Sequence, residues 1–393
     1  MPLDRLARSI LLPELKLLAV HQILAGKVIE VEKVSEFEVC PKCANKASAT
    51  YDRRWVTVKD EPVRSQSVTL KVLKRRFWCL PCQKPFTESV PGIGKGQRTT
   101  ERFRRALLWA CDNFESLKRA RRYMRCSTST LYRLYYRQLE LELRKRQYPW
   151  PKTIGIDEHK YAKNREKRYP EFATIFIDHK GRRVYEVAQN RDVLDVKRQV
   201  EHIDGRENVR FATIDLSQTY RKLIREMFPN AKIVADKFHV VRLLHPAINK
   251  RRKEITGDKR NNPVRKLLLR NGKKLEFFKR AAIYKWLEDY PELKEIYMAK
   301  EAVHGLYRIR GYGRACKAYQ RMLDRFGYSK VPEVQTLRKT MLSWRTEILE
   351  YFRTRITNGR TEAFNGKAKL VRKKGYGFRS FQNYRLRLLT SCT

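Results

Sequence analysis

Apolar residues follow two spacings along this chain, and the places where one gives way to the other divide it into segments. In residues 1–27, Leu3, Leu6, Ile10, Leu15 and Leu18 fall at roughly helical intervals interrupted by Pro13, which predicts an amphipathic N-terminal helix docked on the neighbouring segment. In residues 28–92 the runs are strand-like, Trp55-Val56-Thr57-Val58 and Val68-Thr69-Leu70-Lys71-Val72-Leu73. Residues 96–148 return to the helical interval: Thr99-Thr100-Glu101 reads as a helix start, and Phe103, Leu107 and Ala110 share one face. Residues 116–123, a break at Cys126-Ser127-Thr128, and residues 129–137 then give helix, tight turn, helix. Gln147-Tyr148-Pro149-Trp150-Pro151 closes the segment as a linker.

The alternating period resumes at Thr153-Ile154-Gly155-Ile156-Asp157. A hairpin over 172–187 turns at Asp178-His179-Lys180-Gly181. A helical stretch 192–203 follows, then a strand 209–214 ending at Asp215, a helix 217–228 broken by Pro229-Asn230, and a strand 231–236. Three meandering strands followed by strands alternating with helices is the order of a ribonuclease-H-like fold, which predicts such a core over 152–239. Residues 240–355 are almost purely helical in pattern. In 356–393, Asn358 caps a helix that Gly375 stops; Phe364, Ala368 and Val371 lie on one side, and Glu362, Asn365, Lys369 and Arg372 on the other.

Charge narrows the function. Eighty-eight Lys+Arg against 42 Asp+Glu leave a formal +46 over 393 residues, an excess that repels itself unless a polyanion neutralises it. Residues 240–280 alone carry 14 Lys+Arg against 3 Asp+Glu, a net +11. No apolar run approaches the length needed to span a bilayer, and no signal peptide is expected from the pattern, so nucleic acid is favoured over membrane. The expected partner is double-stranded DNA. Candidate phosphate and base contacts are Arg75 and Arg76 beside the strands, Arg121, Arg122, Ser129, Thr130 and Arg133 at the tight turn, Arg251, Arg252, Lys273 and Lys274 in the helical stretch, and Arg372. Lys160, Lys163, Arg165, Lys167 and Arg168 form a further basic loop. Four isolated cysteines and no even disulfide framework indicate a reducing cytoplasm.

The other four cysteines are Cys40-Pro41-Lys42-Cys43 and Cys79-Leu80-Pro81-Cys82, separated by 35 residues. Two such knuckles bring four thiolates to one tetrahedral structural Zn²⁺, a zinc-ribbon pattern. Three acids carry the second site. Asp157 and Asp215 each end a buried strand, and Glu362 opens the last helix. A carboxylate there loses solvation unless a cation faces it. Oxygen-only ligands suit Mg²⁺ (or Mn²⁺), and two such ions held by shared carboxylates stabilise the attacking and leaving oxygens of phosphodiester transfer.

Ile154-Gly155-Ile156-Asp157-Glu158, Thr213-Ile214-Asp215, Val234-Ala235-Asp236-Lys237-Phe238-His239, Asn358-Gly359-Arg360-Thr361-Glu362-Ala363-Phe364-Asn365 and the tail Lys374-Gly375-Tyr376-Gly377-Phe378 resemble the ISL-three family of bacterial insertion-sequence transposases. The likeness runs from the ribbon to the C-terminus. It implies a DDE transposase with Asp157, Asp215 and Glu362 as catalytic metal ligands, and residues 240–355 as a helical insertion within the ribonuclease-H-like fold. Asp236 and His239, in a D-x-x-H pattern, support the site, as do Asn365 and Lys369. The chain is thus expected to be a multidomain α+β protein: zinc ribbon, helix-turn-helix, then an interrupted α/β catalytic domain. It is expected to bind terminal inverted repeats and target DNA as a homodimer, two ends being handled together, and to be nucleoid-associated. The alternatives are a non-catalytic DNA-binding regulator on the same scaffold and a structure-specific nuclease.

Overall fold

The computed structural model describes residues 11–24, 26–146, 148–163, 169–257, 263–375 and 377–392. Two compact units result, the first running to Glu142 and taking in Lys374–Tyr376, the second comprising Leu143–Lys373 and Gly377–Thr393. The expected basic loop is corrected in part: Lys160 and Lys163 belong to a strand, Thr153–Lys163, while Arg165, Lys167, Arg168 and the side chain of Lys163 lie outside the described residues.

Seven strands open the first unit: β1 (Leu15–Ile23), β2 (Gly26–Lys33), β3 (Glu38–Val39), β4 (Lys46–Ala47), β5 (Thr50–Val63), β6 (Gln66–Cys79) and β7 (Lys84–Thr87). Their main sheet has the order β1-β2-β6-β5, with β7 also paired to β6, while β3 and β4 form a small separate hairpin. The expected N-terminal helix is corrected here. Residues 15–23 are a strand antiparallel to β2, and residues 1–10 lie outside the described residues. Leucine's helical preference is worth only a fraction of a kcal/mol per residue. Leu15 and Leu17 also alternate with Lys16 and Leu18, and Leu12 and Leu15 bury against Val31, Val58, Leu70 and Val72; pairing and burial outweigh propensity. The sheet domain therefore begins before residue 28. Gly26 makes the β1–β2 turn possible, since its φ is +152° and a Cβ there would meet the Ser67 carbonyl oxygen at 2.1 Å.

Three helices follow: α1 (Glu101–Asn113), α2 (Leu117–Tyr123) and α3 (Thr128–Arg144). Thr100 and Ser116 cap the first two through their hydroxyls, and Ser127 Oγ accepts from Thr130 N at 3.1 Å. Sheet and helices fall in one compact unit. Asp60, fully buried on β5, accepts from Thr100 Oγ1 at 2.6 Å and Arg102 Nε at 2.7 Å. Tyr135 on α3 donates to Asp112 on α1 at 2.8 Å.

The second unit is built on β8 (Thr153–Lys163), β9 (Pro170–Asp178), β10 (Arg183–Gln189), β11 (Phe211–Ile214) and β12 (Lys232–Ala235). The sheet order is β10-β9-β8-β11-β12. The first three strands pair antiparallel, and β8, β11 and β12 run parallel. Parallel neighbours need a crossover, supplied here by helices. On one face Ile154, Ile156, Phe176, Ala212, Ile214 and Val234 pack against α4 (Val193–Val200) and α5 (Gln218–Met227). That core continues into a helical region: α6 (Lys237–Val241), α7 (His245–Thr256), α8 (Pro263–Leu269), α9 (Phe277–Glu288), α10 (Pro291–Leu306), α11 (Tyr312–Gly327), α12 (Pro332–Ser343) and α13 (Arg345–Thr354). Arg221 on α5 donates to the buried Glu347 on α13 at 2.7 Å and fixes that region to the sheet layer. On the opposite face, Ile175, Ile177, Val184 and Val187 meet α14 (Gly359–Lys374) and α15 (Phe381–Ser391) through Phe364, Ala368, Val371, Tyr384 and Leu388. The side of α14 expected to be apolar is the side that is buried. Among the described residues no helix is long and apolar enough to cross a membrane.

Candidate active site

The parallel register pairs Thr213 of β11 with Gly155 of β8. Two residues on come Asp215, the first residue past β11, and Asp157, which lies inside β8 opposite Ile175 of β9 rather than at the strand end expected from the sequence, because the antiparallel β9 partner carries β8 on to Lys163. Asp157 Oδ1 accepts from the Glu158 N–H at 2.7 Å, and its Oδ2 accepts from Asn365 Nδ2 at 2.6 Å. Burial, with the negative charges of Asp215 and Glu158 adding, pushes the Asp157 carboxyl up to about 6 against the pull of the Glu158 N–H and His239. Burial likewise raises Asp215, with Glu158 and Asp236 adding and His239 opposing. Asp215 Oδ1 is buried with no hydrogen-bond partner. Two adjacent carboxylates with raised pKa values and an orphaned oxygen make a pocket short of positive charge, and a hard divalent cation fits it.

Asp236 follows β12 and is almost fully buried. Its Oδ2 accepts from His239 Nδ1 at 2.9 Å, and its Oδ1 from the Asn358 N–H at 3.1 Å. The hydrogen bond to Asp236 raises the His239 pKa, helped by the charges of Asp215 and Asp157. Asn358, also buried, accepts at Oδ1 from Thr213 Oγ1 at 2.9 Å and from Thr361 Oγ1. The start of α14 is thus tied to β11 and to the residue that follows β12. Glu362 occupies that first turn, its N–H donating to the Asn358 carbonyl at 3.1 Å, with its side chain exposed. One turn on, Asn365 reaches Asp157. Lys369 is exposed a turn further, and Arg372 Nη1 donates to the Lys160 carbonyl at 2.8 Å. The oxygens of the three acids do not all come within 4.8 Å of one another as the ribbon thiolates do.

Sequence reasoning passed over Gly155, His159, His179, Asn358 as a buried linker, Thr361 and Tyr384. A Cβ on Gly155 would stand 2.4 Å from Thr361 Oγ1, 2.8 Å from His179 Nε2 and 3.0 Å from Asn358 Oδ1. A glycine among β-branched residues of a buried strand signals such an approach. Burial pulls His179 and His159 down to about 4. His159 Nε2 meets the Tyr384 hydroxyl. No sequence pattern announces these pairs, because their partners are far apart along the chain.

The four cysteine sulfurs lie within 4.8 Å of one another, with Cys40–Cys82 at 3.9 Å and Cys43–Cys79 at 3.5 Å. A tetrahedron with Zn–S near 2.3 Å has sulfur–sulfur edges of about 3.8 Å. Backbone N–H groups of Cys43 and Lys42 pull Cys40 down to about 6, while the neighbouring thiols push Cys82 up to about 12. A bound cation relieves that crowding.

Several expected DNA contacts change role. Arg252 is buried, its Nη1 donating to Thr256 Oγ1 at 3.1 Å and to the Gly257 carbonyl at 3.3 Å; it is a packing residue, which corrects its assignment to phosphate. Arg251 is occupied by Glu333 at 2.8 Å and Glu292 at 3.2 Å. Arg75 is spent on Glu88 at 3.0 Å and Arg76 on Asp52 at 2.7 Å. Arg122, Ser129, Arg133, Lys273, Lys274 and Arg372 are exposed, and Arg121 and Thr130 half-buried. On α3, Leu131, Tyr135 and Leu139 are buried, leaving Ser129, Arg133 and Arg137 on the free face.

Residues 154–388 match the DDE-domain model of ISL3 elements, described as a transposase. Residues 88–138 match the helix-turn-helix domain of transposase family ISL3. Residues 36–82 match the zinc-finger of transposase IS204/IS1001/IS1096/IS1165. The transposase for insertion sequence element IS1001 of Bordetella parapertussis is 22% identical over 374 residues, covering 92% of this chain and 90% of that protein.

Proposed function

Since the chain belongs to the ISL3 family of DDE transposases, we propose that Asp157, Asp215 and Glu362 are its catalytic acids and hold two divalent ions, Mg²⁺ or Mn²⁺. The sheet order, with an acid within the first strand and another directly after the fourth, supports a ribonuclease-H-like core interrupted by the helical region. When bound, the ions supply Lewis-acid stabilisation of the attacking and leaving oxygens. The chain's own residues then have separable tasks. Asn365 orients Asp157 through its 2.6 Å hydrogen bond. Asp236 anchors the first turn of α14 and so sets where Glu362 stands. His239 offers positive charge to the aspartates until ions replace it. The exposed face of α3 reads the terminal inverted repeats in the major groove, and the zinc ribbon, closed by Cys40, Cys43, Cys79 and Cys82, holds its own sheet in shape. Cleavage by water and joining by a 3′-hydroxyl then use the same pocket, and pairing two ends calls for a homodimer.

The observation that carries this reading is a pair of half-buried aspartates, one inside β8 and one just past its parallel neighbour β11, the latter with an orphaned oxygen, beside the anchored start of α14. The test is incubation of labelled element-end DNA with the full chain, with Mg²⁺ or with chelator, and mapping of the cut strand. Asp157→Asn is expected to bind ends normally and to abolish cleavage and strand transfer. Normal cleavage by that variant removes Asp157 from the chemistry.

A further inference from the structure

Two phenylalanines stand where apolar side chains do not normally remain. Phe277 and Phe278, the first two residues of α9, are 68% and 83% exposed; the only other exposed phenylalanine among the described residues, Phe37, is 45% exposed. Neither belongs to the core shared by the helical region and the sheet. Their rings meet edge to face, with centroids 5.7 Å apart at 81°, which leaves ring faces open where a stack would cover them. Cations surround them. Lys273 and Lys274 are exposed in the turn just before, the exposed Lys279 follows, and the Arg280 guanidinium lies 6.0 Å from the Phe277 ring centre. Glu276 is the one acid in the stretch 270–280, against Arg270, Lys273, Lys274, Lys279 and Arg280. Further along the exposed side of α9 come Ala281 and Ala282, small residues that let a chain lie close.

We propose that Phe277 and Phe278 are a base-stacking site for unpaired nucleotides of DNA, with Lys273, Lys274 and Arg280 holding the flanking phosphates. Aromatic faces set in a cationic surface are the chemistry that captures single strands, because every base offers a π-face whatever its sequence. A purely phosphate-binding surface needs no rings, and a buried protein–protein core would not be ringed by like charges. The proposal rests on the transposase reading only in supposing that the bound DNA opens locally at the cut ends.

The test uses the full chain in the Asp157→Asn background without divalent ions, so that chemistry does not intrude. Binding of fluorescently labelled oligo(dT) and of a duplex of equal length is measured for Phe277 and Phe278 intact, for F277A/F278A and for F277W/F278W. The alanine pair is expected to weaken oligo(dT) binding about tenfold or more, with duplex binding unchanged, and the tryptophan pair to retain it. In a forked duplex with 2-aminopurine in the unpaired arm, the emission change on binding is expected with the intact and tryptophan chains and not with the alanine pair. Unchanged oligo(dT) binding, or equal loss on both DNAs, overturns the proposal. So does a shift from dimer to monomer in F277A/F278A by sedimentation, which would assign the rings to contact between copies. A failure of the catalytic reading shows separately, as Mg²⁺-dependent cleavage by the Asp157→Asn chain.

Discussion

Replacing Gly155 by alanine isolates the contact that brings α14 to the strand ends. The added Cβ would sit 2.4 Å from Thr361 Oγ1, where about 3.3–3.6 Å is the usual approach of carbon to oxygen. The helix start must therefore retreat by about 1 Å, and it cannot do so freely. Asn358 is bonded to Thr213 and Asp236, and His179 and Asn358 close in from the same side. Overpacking of this kind costs about 1–3 kcal/mol, which in a unit of this size lowers Tm by about 3–10 °C. Displacing Glu362 and Asn365 by the same distance is expected to slow strand transfer about a hundredfold. Thermal melting and a single-turnover strand-transfer assay on element-end DNA read the two effects. Adding Thr361→Ala removes the nearest clashing atom, so the double variant is expected to recover part of the loss, with a coupling of at least about 0.5 kcal/mol. Wild-type melting and activity for Gly155→Ala would refute the idea that the close approach of strand and helix sets the site.

Cys40→Ser with Cys79→Ser is expected to abolish bound zinc, measured by elemental analysis, and to unfold the ribbon, whose metal contributes about 10 kcal/mol or more to such small sites; retained zinc would contradict the four-thiolate assignment. Acid should destabilise the second unit through its histidines. His159, His179 and His245 have pKa values near 4 in the fold, against about 6.5 unfolded, so the unfolded chain takes up protons first. Stability is full above about pH 6.5 and falls as pH drops towards 4, by up to about 1.4 kcal/mol per pH unit for each histidine. Melting followed against pH, with His159→Gln expected to flatten the slope by one proton, checks this. Arg133→Ala is expected to weaken element-end binding by about 1–3 kcal/mol without moving Tm, whereas Arg252→Ala should lower Tm and leave the salt dependence of DNA binding unaltered; the reverse pattern in a binding titration would invert their assigned roles.

Where local pattern and tertiary environment agreed, the sequence was a sufficient guide. The β8–β10 meander, the capped helix at Ser217 and the apolar stripe Phe364, Ala368, Val371 each follow from a period that one buried face enforces. The same reasoning misplaced Leu15–Leu18, because a leucine run satisfies both periods and only the β2 partner decides between them. It placed Asp215 and Asp236 correctly at strand ends but ended β8 too early at Asp157, and it did not foresee the link from Asp236 through Asn358 to Thr213, in which each bonded pair is more than a hundred residues apart. Arginine numbers carried the DNA reading, but Arg75 and Arg252 were already engaged by Glu88 and by the end of their own helix. Charge along a sequence counts cations; which of them face solvent is decided by packing.

On the proposed function, Asp157, Asp215 and Glu362 surround the same ions. Fe²⁺ substituted at the site in the presence of ascorbate and peroxide generates hydroxyl radicals that cut the polypeptide beside the metal. Cuts are expected next to residues 157, 215 and 362, all suppressed by excess Mg²⁺ and all lost in Asp157→Asn. Cuts at 157 and 215 with none at 362, on DNA-bound protein, would remove Glu362 from the pocket and contradict the three-acid assignment.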